Sequence, residues 1–96
     1  MLAWSKRRRK GQFDLPDREV FEAELPGWGA VSIHPLIRAP GLFLTCDSLG
    51  IEMHPLGPLA LKDAVKPAEA ELERMLKQYI AWCEEGLEAL HSGGHT

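Results

Sequence analysis

The stretch Pro67–His91, PAEAELERMLKQYIAWCEEGLEALH, decides what kind of fold this chain adopts. Leu72, Leu76, Tyr79, Ile80, Cys83, Leu87 and Leu90 recur at steps of three and four, which places them on one face of a helix. Met75 and Trp82 widen that stripe. Pro67 suits a first helical turn, where its missing N–H costs nothing. Glu69, Glu71 and Glu73 follow where the positive end of the helix dipole favours carboxylates, and Glu73 with Lys77 makes a favourable i, i+4 pair. Gly93-Gly94 stops the pattern, while Gly86 weakens it by about 1 kcal/mol. The spacing therefore predicts one long amphipathic helix, burying a single stripe from Leu72 to Leu90.

Upstream of it the period changes from 3.6 to 2. Leu15-Pro16-Asp17 marks an entry turn, after which Phe21, Ala23 and Leu25 alternate with Glu22 and Glu24. Pro26-Gly27-Trp28-Gly29 reverses the chain, and Val31 and Ile33 resume the alternation up to His34. Arg38-Ala39-Pro40-Gly41 is a second turn, leading into the apolar Leu42–Cys46. Asp47-Ser48-Leu49-Gly50 is a third, and Ile51 to His54 returns with Ile51 and Met53 on one face. His34-Pro35 and His54-Pro55 each end a strand, because proline cannot donate to a ladder. The expected fold class is α+β: four short antiparallel β-strands in two hairpins, forming a meander, then one C-terminal helix packed on the sheet.

Ninety-six residues make one domain, and 45% apolar with 26% charged residues is a globular composition. The net charge of −3 conceals an asymmetry. Lys6, Arg7, Arg8, Arg9 and Lys10 carry +5, whereas everything after residue 10 has six bases against fourteen acids, a net of −8. Residues 1–12 show no sustained periodicity and read as a flexible basic N-terminal arm; residues 13–96 form the domain. Cys46 and Cys83 are two reduced thiols on this reading, since a disulfide framework normally shows four or more cysteines. Neither a leader segment nor a membrane span is expected, which points to a cytoplasmic location.

For chemistry the sequence offers little. No serine sits in a nucleophile elbow and no glycine-rich run precedes a helix, so neither an enzyme nor a cofactor is expected. Cys46 and Asp47, set near His34 or His54, are the one nucleophile-and-base arrangement available. His34, Cys46 and His54 would form a metal site only by converging at one sheet edge. No close-spaced ligand pair supports that, so no metal is expected; His91 and His95 are separated by helix-breaking glycines.

Two charged features are more informative. The cations at Lys6, Arg7, Arg8, Arg9 and Lys10, flanked by Trp4 and Phe13, could grip phosphates, giving a nucleic-acid accessory reading. Folding back onto the acidic helix or attaching to an anionic membrane surface are further uses of such an arm. At the other end, Glu84, Glu85 and Glu88 lie in the last helical turns, where the dipole disfavours carboxylates. Beside Trp82 they form the expected partner-binding surface. The leading expectation is thus a small non-enzymatic protein-binding or regulatory module. It includes inhibitors, of a phage or mobile-element type, that fill a basic groove on another protein. Surplus apolar residues in the sheet admit a homodimer through the sheet or the helix.

Overall fold

A computed structural model describes residues 1–11, 18–36 and 39–93. The expected entry turn at Leu15–Asp17, Arg38 of the second turn, and Gly94 and His95 lie outside the described residues. The chain forms five strands, β1 (Ser5–Arg9), β2 (Arg18–Leu25), β3 (Gly29–Pro35), β4 (Leu42–Cys46) and β5 (Ile51–Gly57), then one helix, α1 (Leu61–Gly93). A short 3₁₀ turn at Asp47–Leu49 joins β4 to β5. The strands pair in sequence order as an antiparallel meander, and the helix packs across one face. The α+β class holds, with one strand more than the sequence led us to expect.

The extra strand is β1. The basic segment is no detached arm: Ser5 pairs with Glu22, and the register runs on to Arg9 opposite Arg18. Its period-2 signal was invisible because a run of Lys and Arg has no apolar alternation. What holds it is a backbone ladder and docking by the residues before it. The Leu2 amide and the Trp4 indole both donate to the Glu69 carboxylate of α1, at 2.8 and 2.9 Å. Trp4 also lies against Phe21, with ring centroids 6.5 Å apart.

The alternation read from β2 and β3 holds in full. Phe21 pairs with Ile33 and Ala23 with Val31, so Val31, Ile33 and Leu25 join the core beneath α1 while Glu22 and Glu24 face away from it. In β5 the phase breaks. Leu44 is opposite His54 and Cys46 is opposite Ile51, so two residues of β5 span one of β4. That bulge puts Met53 at a left-handed φ of 48° and half-exposes it, and His54 takes the helix-side place expected of Met53.

The helix starts six residues before the proline that was expected to open it. Pro67 lies inside α1, where it leaves the Asp63 carbonyl without its ladder donor, a cost of about 3 kcal/mol in an isolated helix. Tertiary packing overrides it. Ala64, Ala68 and Leu72 are buried against the sheet, and the two alanines let the helix backbone come close to it. Gly41 marks a second close approach. At φ +91° it sits so near the Gly57 carbonyl that a Cβ would lie 2.8 Å from that oxygen.

The helix outruns its sheet. At 1.5 Å per residue it spans about 50 Å, more than strands of five to eight residues can cover. The molecule measures 63 × 28 × 21 Å with a radius of gyration of 17.2 Å. A compact chain of this length would have roughly 12–13 Å. The excess is the free end of α1.

Candidate functional site

Tyr79 is the last helix residue that touches the sheet end. Its hydroxyl donates to the Leu49 carbonyl at 3.4 Å, and its ring lies tilted against Trp28 with centroids 5.1 Å apart. Trp82 meets the other side of Tyr79 edge-on at 5.2 Å. Trp28, in the turn between β2 and β3, packs against the core, whereas Trp82 is half exposed. Beyond this aromatic step every residue from Trp82 to Ser92 is exposed. The expectation that the stripe is buried along its whole length is therefore corrected. Ile80 is 57% exposed, Leu87 55% and Leu90 73%. The sheet ends where the stripe continues.

The three acidic residues singled out for a partner lie on this projecting segment. Glu84, Glu85 and Glu88 are exposed, and none makes a side-chain hydrogen bond or ion pair among the described residues. The contrast is with the carboxylates nearer the sheet. For Glu69, burial pushes the carboxyl up, but the Trp4 indole, the Leu2 amide and the charge of the chain's amino end together hold it below the ordinary value. For Glu71, the Arg74 hydrogen bond lowers the carboxyl more than burial raises it, and the charges of His54 and Arg74 lower it further. The Arg74 guanidinium is raised in return by the Glu71 hydrogen bond. His54 lies 3.7 Å from Glu71, on the rim of a groove between β5 and α1.

The basic residues are distributed differently from a phosphate-binding arm. Alternation along β1 sends Lys6 and Arg8 to one side of the sheet and Arg7 and Arg9 to the other. Lys6 pairs with Glu19 at 3.7 Å, while Arg7 and Arg9 both reach Glu22, at 3.4 and 3.3 Å. Arg8 and Lys10 are exposed. The basic segment did fold back on acidic residues, but on those of β2 rather than the helix.

On the face away from α1, Arg7, Arg9, Glu22, Ser32, His34 and Thr45 border an open concavity of about 680 Å³. Its histidine is occupied. His34 Nδ1 lies 3.2 Å from the Pro35 carbonyl, which can only accept, so Nδ1 carries the proton. Nε2 then accepts from the Thr45 hydroxyl at 2.7 Å, and the same oxygen accepts from the Met53 amide at 3.2 Å. That network ties the bulge of β5 to β3.

His34, Cys46 and His54 do not converge. Cys46 is fully buried in the helix-side core, His54 flanks α1, and His34 is on the opposite face. Cys46 and Asp47 likewise have no histidine set to act as base: the thiol is sealed under the helix. Among the described residues no three histidine, cysteine or acidic side chains gather as metal ligands would, and no helix is long and apolar enough to cross a membrane. Comparisons with protein-family models, with curated proteins and with solved structures found no match, so the site is read from its geometry alone.

Glu84, Glu85 and Glu88 drew notice in the sequence through their unfavourable place in the helix dipole, and the structure puts them on the projecting segment. Sequence reasoning missed the exposed apolar side chains of the same segment, because a periodic stripe looks identical whether covered or bare. The available signal was arithmetic. Even the 25 residues of Pro67–His91 make a helix of about 37 Å, which strands of five to eight residues, only about 17–27 Å long, cannot cover.

Proposed function

We propose that the protein is a non-enzymatic protein-binding module whose docking element is the projecting half of α1. One observation carries this reading: Ile80–Gly93 leaves the sheet as a two-sided helix, apolar on one side and bare carboxylate on the other. Large apolar side chains clustered in the open mark interaction surfaces, and an amphipathic helix presented alone is a common docking form. The Glu84, Glu85 and Glu88 side favours a partner with basic residues flanking its groove, and charge of this kind sets encounter rate and partner choice more than affinity. An inhibitor filling a basic groove is the finer form of the same reading.

The groups that sequence analysis held open for chemistry support it indirectly. His34 and Thr45 hold a bulge, and Cys46 fills core. The nucleic-acid reading draws less support, because the cations of β1 point to both sides of the sheet and three of them lie beside Glu19 and Glu22. Such exposed pairs are weak, yet they interrupt the continuous basic track that phosphates need.

The test is retention of host-lysate proteins on the immobilised chain at two salt concentrations, with E84K/E85K/E88K in parallel. Proteins held by the native chain, and lost both on charge reversal and at high salt, are the expected result. An identical retained set on both chains would refute acidic docking.

A further inference from the structure

The apolar side of the projecting helix has a shape that selects its occupant. On a projection at 100° per residue, Ile80, Trp82, Cys83, Leu87, Ala89 and Leu90 occupy about half the circumference. Glu84, Glu85 and Glu88 occupy the other half. The apolar half is the same face that carries Ala64, Ala68 and Leu72 onto the sheet. From Leu76 the stripe also follows a four-three repeat, Leu76, Ile80, Cys83, Leu87, Leu90, the period of about 3.5 at which two helices pack side by side.

We propose that a second copy of this chain covers this face, in an antiparallel two-fold pair of projecting helices. Ile80 would lie opposite the partner's Leu90, and Cys83 opposite the partner's Leu87. The proposal rests on the preceding reading only in taking the projecting helix as a docking element.

Three observations choose this occupant and orientation. First, a parallel pair is sterically closed. The face that would meet the partner carries the chain's own sheet as far as Tyr79, so two parallel helices would be held apart by two sheets. Turned end for end, each projecting helix enters the space beyond the other's sheet, and the two elongated molecules interlock. Second, the other surfaces on which copies could associate are blunted. Edge strand β1 is a run of Lys and Arg, and edge strand β5 carries Pro55 and two register breaks. The open sheet face is lined by Arg7, Arg9 and Glu22. Third, Glu85 and Glu88 fall on the far side of the helix and Glu84 only flanks the seam beside Ile80 and Leu87, where its exposed carboxylate stays in water, so like charges are not buried in the contact.

The projecting helix supplies roughly 21 Å of contact. That is fewer residues than the 20–30 a side of a standard interface. The partner's helix tip must therefore also cover the exposed side of Trp82 and the Trp28–Tyr79 end of the sheet, and the dimer belongs to the weak, concentration-dependent class.

Sedimentation and light scattering on the purified chain, across a concentration series, test this. The expected result is a shift from 10.7 kDa towards twice that mass. L87E, at a position exposed in the single chain, should weaken the dimer at least ~10-fold while leaving the circular dichroism unchanged. A 10.7 kDa species at the highest soluble concentration overturns the proposal.

Orientation is read by thiol oxidation, because Cys83 is exposed and Cys46 buried. A mixture of native chain and C83S/L87C should form a mixed disulfide, with little cross-linking of either alone. Rapid cross-linking of the native chain through Cys83 would instead show a parallel seam. A dimer without the mixed disulfide would place the contact elsewhere. Either of these results overturns the arrangement. All of this uses the purified chain, so a monomer would leave the lysate experiment standing, and an empty lysate experiment would leave the dimer standing.

Discussion

The two halves of α1 share a sequence pattern and differ in almost everything the pattern is supposed to cause. Up to Tyr79 the apolar stripe is pressed onto β3, β4 and β5, with Ala64 and Ala68 fully buried and Leu72 nearly so. From Ile80 the stripe goes on at the same spacing, exposed and with none of the described residues of the sheet over it. The acidic residues divide at the same place. Glu69 and Glu71 hold the chain's beginning and Arg74, whereas Glu84, Glu85 and Glu88 hold nothing among the described residues. Periodicity reports which face of a helix is apolar. It does not report what lies over that face, because coverage depends on how far the partner element extends.

The sharpest way to break this contrast is to shave the same side chain in each half. Leu72→Ala removes a residue 3% exposed, from a site walled by strands on one side and helix on the other. It should cost about 2–5 kcal/mol in urea unfolding, the range for buried leucines. Leu90→Ala, measured in dilute protein, should change stability by no more than about 0.5 kcal/mol, because its side chain already meets water. Equal losses would mean that the projecting half is covered within a single chain.

What was legible in the sequence follows the same division. Alternation in β2 and β3 could be read because the residues facing α1 are apolar while Glu22, Glu24 and Ser32 on the other face are polar, with buried Val20 the exception on that second face. The phase of β5 could not, since a bulge slips the alternation without leaving a turn residue to announce it; Met53 takes the left-handed backbone that a glycine would have advertised. The strand at Ser5–Arg9 was hidden because its stabilisation comes from partners distant in sequence. Leu2 and Trp4 meet Glu69 more than sixty residues away. At the candidate site, the carboxylates stood out as locally unfavourable, while the exposed leucines beside them matched a buried stripe residue for residue.

Glu69 offers a smaller lever on the sheet-bound half. Its carboxyl is depressed in the folded state, despite burial, by donors from Trp4 and Leu2. The stabilisation it gives is therefore complete above the unfolded glutamate value of about 4.3, and is lost as pH falls through the lower folded value. Glu69→Gln should cost about 1 kcal/mol near neutrality, since an amide oxygen still accepts but without charge. It should also flatten the acid limb of the stability curve, with Glu71 retaining its own share. An acid limb unchanged by Glu69→Gln would show that the Leu2 and Trp4 contacts do not hold in solution.

Gly86 probes the projecting half by the gentlest change. It lies mid-helix in ordinary helical backbone, and a Cβ added there meets nothing within 4 Å. Gly86→Ala therefore gains the backbone entropy difference of roughly 0.5–1 kcal/mol with no steric penalty. The location of the gain separates the two halves. If the projecting helix opens independently of the core, amide exchange from Ile80 to Gly93 should slow by roughly two- to fivefold in dilute protein while the global unfolding midpoint stays in place. If the midpoint rises by the whole amount instead, the helix melts as one cooperative unit. The boundary at Tyr79 would then divide what is covered from what is bare, without dividing what is stable from what is not.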